Sequence, residues 1–232
     1  MPATSQPAKL LRISDGDTLK LVGGTSVRLL GLNTPELARS GRAAQPLAQE
    51  ASEALRSLLS EQLFLVDGDQ PQDRYGRRLS HVFSSSGRSA EEVLLEKGLG
   101  FFVGSDPTTG MADCLRLAEQ RARQAKRGVW SERYWAPMAF DSPQLRAGFV
   151  VLQGRIERVE RSRKATWIET EGDVVLRVDD RERHRFPADW WQQIEGQRVL
   201  VKGWMVDRNG RQGKHKRWLV RLMYPDMLIP LN

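Results

Sequence analysis

The spacing of apolar runs near the start of the chain constrains the fold most. KLLRI, DTLKLV and VRLLGL follow one another within residues 9–32, and GGTS separates the last two. Runs this short fit strands rather than helices, and a Gly-Gly turn between them makes a hairpin. The chain therefore opens as a β-meander. Residues 45–60 change period: Leu47, Ala51, Ala54, Leu55, Leu58 and Leu59 recur at helical spacing. Strands return at QLFLV and RRLSHVF. The segment SAEEVLLEKG then predicts a short helix with Ser89 as N-cap, Glu92 completing a capping box and Gly98 at the end. A last helix is predicted from about Met111 to Arg127, stopped by Gly128.

The stretch APMAFDSPQLRAG carries two prolines, a glycine and no clear period, which marks a linker over residues 136–147. Two domains follow, 1–135 and 148–232. The second is again strand-rich: FVVLQGRIERVER, ATWIET, DVVLRVDD, a helical piece PADWWQQI, QRVLVKGWMVDRNG and RWLVRLMY. Five strands with one short helix predict a small barrel of the OB type. No low-complexity segment and no repeat between the halves is visible.

A chain of 232 residues with one cysteine, Cys114, has no internal disulfide. His81, His184 and His215 lie too far apart to complete a zinc site with it. Any metal site must be built from oxygen. No run approaches the roughly 18 apolar residues that span a bilayer, and MPATSQPAKLL lacks the basic and apolar regions of a signal peptide. The net charge of +7 favours an anionic partner. Its excess is uneven, with 18 Lys/Arg against 16 Asp/Glu in residues 1–135 and 18 against 13 in 136–232.

Three stretches carry chemistry. In ISDGDTLKL, Asp15 and Asp17 flank Gly16, which permits a bend that points both carboxylates at one spot. Two carboxylates held together repel unless a metal or an arginine joins them, although Asp-Gly also marks ordinary turns. In VRLLGLNTPE, Arg28 interrupts an apolar strand and needs an acid or a phosphate as partner. The strand ends at Asn33, Thr34, Pro35 and Glu36, where Pro35 holds Thr34 extended; a surface turn with a capping acid would read the same. In DRYGRRL, Tyr75-Gly76 makes a turn that delivers Arg77 to the start of a strand, where a solvated arginine is the ordinary alternative.

Taken together, strand–DGDT, strand–RLLGLNTPE and DRYGRRL–strand resemble the thermonuclease (staphylococcal nuclease-like) family over roughly residues 8–130. The resemblance implies a mainly β protein: a five-stranded OB barrel with three helices, followed here by a smaller OB-like barrel. It also implies metal-dependent hydrolysis of phosphodiester bonds in DNA and RNA, with calcium as the cofactor. On that likeness Asp17 is a metal carboxylate with Asp15 beside it, and Thr34 is a ligand through its carbonyl. Glu36 is the general base, and Arg28 and Arg77 clamp the phosphate. The chemistry is consistent, because water needs a base to take its proton and calcium takes oxygen ligands in loose geometry.

Two departures stand out. Asn33 replaces a metal-binding aspartate of the family, so metal binding is expected to be weaker. The family's active-site tyrosine is missing, and GLGFFVGSD offers Phe101, Phe102 and Gly104 there. A catalytically weakened binding module on the same fold is therefore the alternative. The family is often exported; the resemblance implies an exported or periplasmic protein if a leader has been removed and a cytoplasmic one otherwise.

The second domain has weaker motifs. Asn209-Gly210 signals a hairpin, and RQGKHKR beyond it is basic at five of seven positions counting histidine. RVERSRK precedes Trp167. OB folds bind single strands by pairing a basic groove with aromatic platforms. Arg211, Lys214, Lys216, Arg217, Arg163 and Lys164 are thus expected to bind nucleic acid, single strands foremost. Trp167, Trp204 and Trp218 are candidate platforms, whereas Trp190 and Trp191 are expected to pack.

Overall fold

The computed structural model describes residues 4–39, 41–105, 109–208 and 216–231. The chain divides into two units between Tyr134 and Trp135. In the first, the meander forms β1 (Gln6–Asp15), β2 (Thr18–Leu21) and β3 (Ser26–Leu29), followed by β4 (Leu32–Asn33). Helix α1 (Ala48–Leu58), β5 (Gln62–Gln72), β6 (Arg78–Ser84), α2 (Ala90–Glu96), β7 (Phe101–Phe102) and α3 (Ala112–Gln124) complete it. Five strands close into a barrel in the order β1-β2-β3-β6-β5. The β3–β6 pair is parallel and the other pairs are antiparallel.

Alternation decides what faces inward. Val27 and Leu29 of β3 are buried while Ser26 and Arg28 face the other way, so Arg28 does not break the core run. Leu19, Leu63, Leu65 and Val82 join the core, and Ala51 and Leu55 of α1 and Leu94 and Leu95 of α2 pack onto it. Each such leucine contributes about 1.5–3 kcal/mol through removal from water. Helix α2 is capped as expected by Ser89, whose Oγ accepts the Glu92 N–H at 3.2 Å. The hydroxyl donates to Glu91 Oε2 at 2.9 Å, so the acid engaged at this cap is the buried Glu91.

The second unit contains β8 (Met138–Ala139), β9 (Gly148–Arg161), β10 (Ala165–Thr170), β11 (Val174–Asp179), α4 (Trp190–Ile194), β12 (Arg198–Asp207), β13 (Trp218–Arg221) and β14 (Leu228–Pro230). Pairing of β12 with β9 from Arg198↔Arg155 to Met205↔Gly148 closes a second five-stranded barrel, β9-β10-β11-β13-β12. Its third and fifth strands are again parallel. Both barrels thus have the order 1-2-3-5-4, a shared topology without visible sequence repetition. β8 and β14 extend the sheet beyond the five expected strands.

Residues 136–147, read from composition as a linker, are built into this unit. Met138 and Ala139 pair in parallel with Leu152 and Gln153, and Phe140 is fully buried. The Phe140 ring lies so close to Gly154 that a Cβ there would meet it at 2.5 Å. Among the described residues, no helix is long and apolar enough to cross a membrane.

Candidate active site

Strand register assembles the site at one end of the first barrel. Asp15 closes β1 opposite Thr18, and Thr18 in turn lies opposite Arg28. Gly16, between the two aspartates, is glycine for space rather than for a left-handed bend. A Cβ there would meet Ala51 Cβ at 2.7 Å and Thr34 Oγ1 at 2.7 Å. The turn is thereby pressed against α1 and against the segment after β4.

Asp17 is the hub. Its Oδ1 accepts from Arg28 Nη1 at 2.6 Å and from the Thr18 hydroxyl at 2.9 Å. Its Oδ2 accepts the Thr34 N–H at 3.1 Å. Arg28 Nη2 reaches Asn33 Oδ1 at 3.2 Å and the Leu32 carbonyl at 3.3 Å. Asp17, Asn33 and Thr34 are all buried. Arg77 Nη1 lies 3.3 Å from the Thr18 hydroxyl and is therefore linked to Asp17 through it.

Asp15 accepts the Asp17 N–H on Oδ1 at 3.2 Å and Arg39 Nη2 on Oδ2 at 2.6 Å. Burial first, then repulsion from Asp17 and Glu36, pushes its carboxyl up to about 6, against the opposing pull of the Asp17 N–H and Arg39. Glu36 is exposed, and its carboxylate has no hydrogen-bond or ion-pair partner among the described residues. Its backbone is held instead: Gln45 Oε1 accepts the Glu36 N–H at 2.8 Å, and the Glu36 carbonyl accepts the Gln45 N–H at 2.9 Å. A braced backbone under a free carboxylate suits a group that must take a proton from solvent-side substrate water.

Asp15, Asp17, Arg28, Asn33, Thr34 and Arg77 thus form one network, with Glu36 close enough to Asp15 to repel it. Thr18, Arg39, Gln45 and Asp73 belong to the same site, although the sequence alone assigns them no role. Thr18 lay inside DGDT and Asp73 inside DRYGRRL, so the motif itself held the signal for both. Asp73 fixes Arg77 by accepting its Nε at 2.7 Å and its N–H at 3.0 Å. Burial pushes the Asp73 carboxyl up, but these bonds and the Tyr75 N–H outweigh it and hold it below the ordinary carboxylate value. Arg39 and Gln45 sit in a segment without apolar period, where nothing local announces a partner.

Phe101 and Phe102 are fully buried in β7, which pairs with β4. Neither replaces a tyrosine hydroxyl at the site.

A divalent cation of the calcium type needs converging oxygen donors. Among the described residues, no three of His, Cys, Asp and Glu converge as a metal cluster. One guanidinium nevertheless spans the Asp17 carboxylate and the Asn33 amide oxygen. Two hard oxygen donors are therefore already converged on a cation, which fits calcium-type ligation with one charge fewer than two carboxylates would supply.

Comparison with known proteins points to one family. A family model described as "Staphylococcal nuclease homologue" matches residues 26–132. Endonuclease YncB of Bacillus subtilis (strain 168) is 33% identical over 143 residues, covering 56% of this chain and 67% of the relative. The thermonuclease of Staphylococcus hyicus is 30% identical over 133 residues, covering 56% of this chain and 78% of the relative. The chain belongs to the staphylococcal nuclease-like family. The probable endonuclease LCL3 of Schizophyllum commune (strain H4-8 / FGSC 9210) is 35% identical over 121 residues, which is 46% of this chain and 40% of its own.

The basic residues expected to bind nucleic acid in the second unit are treated differently by the structure. Arg163 and Lys164 are exposed between β9 and β10. Lys216 is turned onto its own barrel, bonding the Thr170 carbonyl and lying 3.7 Å from Glu169 and 3.8 Å from Glu157. Arg217 is held by both Asp207 oxygens, at 3.1 and 2.7 Å, and stacks over Trp218. Both side chains are thus paired with acids of their own barrel. Arg211 and Lys214, with the Asn209-Gly210 turn, lie outside the described residues. Trp218 is buried, Trp204 is 39% exposed and Trp167 is half-buried. Trp190 and Trp191 pack on each other and on Phe186, as expected.

Proposed function

We propose that the chain is a nuclease that hydrolyses phosphodiester bonds of DNA or RNA, with the site at the mouth of the first barrel. The observation that carries this reading is the network in which the buried Asp17 is shared by Arg28, Thr18 and the Thr34 N–H, with Arg77 one hydroxyl away and Glu36 at the rim. Glu36 takes the proton of the attacking water, and the new P–O bond forms as the bond to the leaving nucleoside oxygen breaks. Arg28 and Arg77 place positive charge where the phosphorane-like transition state gathers negative charge; loss of one such donor costs about 10²–10³ in rate. Asp73 holds the Arg77 fork in place, and Asp17 and Asn33 do the same for Arg28. Asp17, Asn33 and the Thr34 carbonyl would hold a calcium or other divalent cation, which when bound polarises a phosphoryl oxygen. Backbone charge captures the substrate, with little sequence preference and marked salt dependence. The second barrel adds a surface for single strands.

A second reading has one specific observation behind it. Asn33 lowers the charge of the cation site, which suits a binding module with a weakened centre. The test is incubation of labelled linear and circular single-stranded DNA and of RNA with calcium, magnesium or EDTA. Cation-dependent cutting supports the nuclease, and cutting of the circle identifies internal cleavage. Retained binding without cutting under any cation overturns the nuclease reading in favour of the binding module.

A further inference from the structure

The outer face of β1 and β2 carries charges that the site itself does not use. Ala8, Leu10 and Ile13 of β1 pack against the barrel core, and Leu10 lies opposite Leu21. Strict alternation from Leu10 would turn Arg12 inward. The register instead slips between Leu10 and Arg12, so that Arg12 lies opposite Lys20. Leu19 and Leu21 of β2 are buried, so Lys20 points outward and its cross-strand partner Arg12 with it. A second slip, between Ile13 and Asp15, sets Asp15 opposite Thr18 in the same way. Bulges re-aim side chains. These two bring Asp15 to the candidate site and Arg12 to the same face beside it.

Holding Arg12 there has two costs. Leu11, the extra residue of the first slip, is 58% exposed. Arg12 and Lys20 are like charges directly opposite one another, which destabilises an antiparallel pair. Neither side chain has a hydrogen bond or ion pair among the described residues. The same holds for the exposed Lys9, which alternates outward between Ala8 and Leu10 and whose carbonyl accepts the Val22 N–H at 2.9 Å. Arg77 and Arg78 of the same barrel are matched instead, by Asp73 and Asp67.

The face is continuous with the site. Thr18 and Lys20 are successive outward residues of β2, opposite Arg28 and Ser26 of β3. Lys20 therefore lies about 7 Å along the strand from Thr18, and the contact of Lys9 with Val22 about 13 Å. From Arg28 the cations run to Lys20 with Arg12 and then to Lys9. β1, β2 and β3 hold no aromatic residue, so the face offers charge without a surface for stacking. A row of unmatched cations leading out of a phosphodiester site complements the repeating charge of a nucleic-acid backbone.

We propose that the outer face of β1 and β2 holds the backbone of the substrate strand beyond the bond to be cut, one phosphate shared by Arg12 and Lys20 and the next met by Lys9. The inference deepens the nuclease reading, on which it rests for the class of ligand. An anion between Arg12 and Lys20 relieves the repulsion that the unbound protein carries. Phosphate contacts position a strand without reading its bases, so DNA and RNA are held alike whatever their sequence. A dinucleotide, with a single phosphate, lacks this hold.

The test is fluorescence anisotropy of a labelled single-stranded DNA of about 20 nucleotides with the full chain in EDTA across a salt series. Arg12→Gln and Lys20→Gln each weaken binding about 3- to 10-fold at low salt and lower the slope of log affinity against log salt by about 0.7. Arg12→Lys, which keeps the charge, retains the slope. Arg12→Gln also leaves the urea midpoint of the unbound protein unchanged or raised, because a repulsion is lost. In cleavage the loss falls on KM rather than kcat. An unchanged slope in both Gln variants, or a lowered urea midpoint in Arg12→Gln, overturns the proposal. A chain that cuts with both slopes unchanged keeps the nuclease reading and loses only this subsite. One that binds with the lowered slopes but never cuts keeps the subsite and loses the nuclease.

Discussion

Asp15 is the residue whose retention costs the fold most visibly. Its carboxyl is buried and faces Asp17 and Glu36, and its pKa rises from 3.8 to about 6. The folded state therefore binds this proton more tightly than the unfolded chain does. The associated stability is fully present below pH 4 and is lost as pH rises through about 6. At about 1.4 kcal/mol per decade, the charged form costs roughly 3 kcal/mol by pH 8, a figure already net of the Arg39 ion pair, which is half in solvent and worth little. Asp15→Asn removes that cost and keeps an oxygen for the Asp17 N–H. The variant is expected to be about 1–3 kcal/mol more stable than the unsubstituted protein at pH 8, with the difference closing by pH 4. The assay is a urea titration in EDTA at both pH values, followed by amide exchange of peptides from the first barrel. Equal stability at pH 8, or a difference that does not change with pH, would refute the reasoning. A stabilising substitution at a buried acid marks a residue kept for its charge.

Three further outcomes follow from the geometry. Asn33→Asp restores a charge among the oxygens around Arg28 and should tighten calcium binding, as read by calorimetry; unchanged affinity would remove Asn33 from the ligand set. Gly16→Ala forces a methyl against Ala51 and Thr34 and should lower stability by about 1–3 kcal/mol, seen as a fall in the melting temperature of the first unit. Asp73→Asn loosens the Arg77 fork without removing its charge, so kcat should fall about tenfold or more while binding measured in EDTA changes little.

The legible parts of the site are those whose partners lie within a few residues or at the ends of adjacent strands. DGDT and NTPE are each ambiguous alone and informative only together, and the hairpin pairing Thr18 with Arg28 brings the strands that carry them to one barrel end. Arg39 reaches Asp15 from 24 residues away, and Arg77 reaches Thr18 from 59, so only the closed barrel brings those pairs together. Gly16 was read as a bend, but the reason for glycine is a methyl's worth of space that depends on where α1 packs. In residues 136–147 the prolines and missing period suggest loop, whereas Met138 and Ala139 pair with β9 and Phe140 is buried against Gly154, contacts that are distant in sequence. In the second barrel, composition showed positive charge without showing which charges their neighbours consume. Lys216 and Arg217 lie in the most basic stretch and are held by acids, whereas Arg177 and Arg208, inconspicuous in sequence, flank the half-buried Trp167.

On the proposed reading Glu36 is the base of a phosphodiesterase. Steady-state cleavage of labelled single-stranded DNA by the unsubstituted protein and by Glu36→Gln, over a range of calcium concentrations, tests it most directly. In the variant kcat is expected to fall about 10²–10⁴-fold while binding in EDTA is unchanged, because the Glu36 carboxylate holds no hydrogen bond or ion pair among the described residues. Full activity in Glu36→Gln would contradict it.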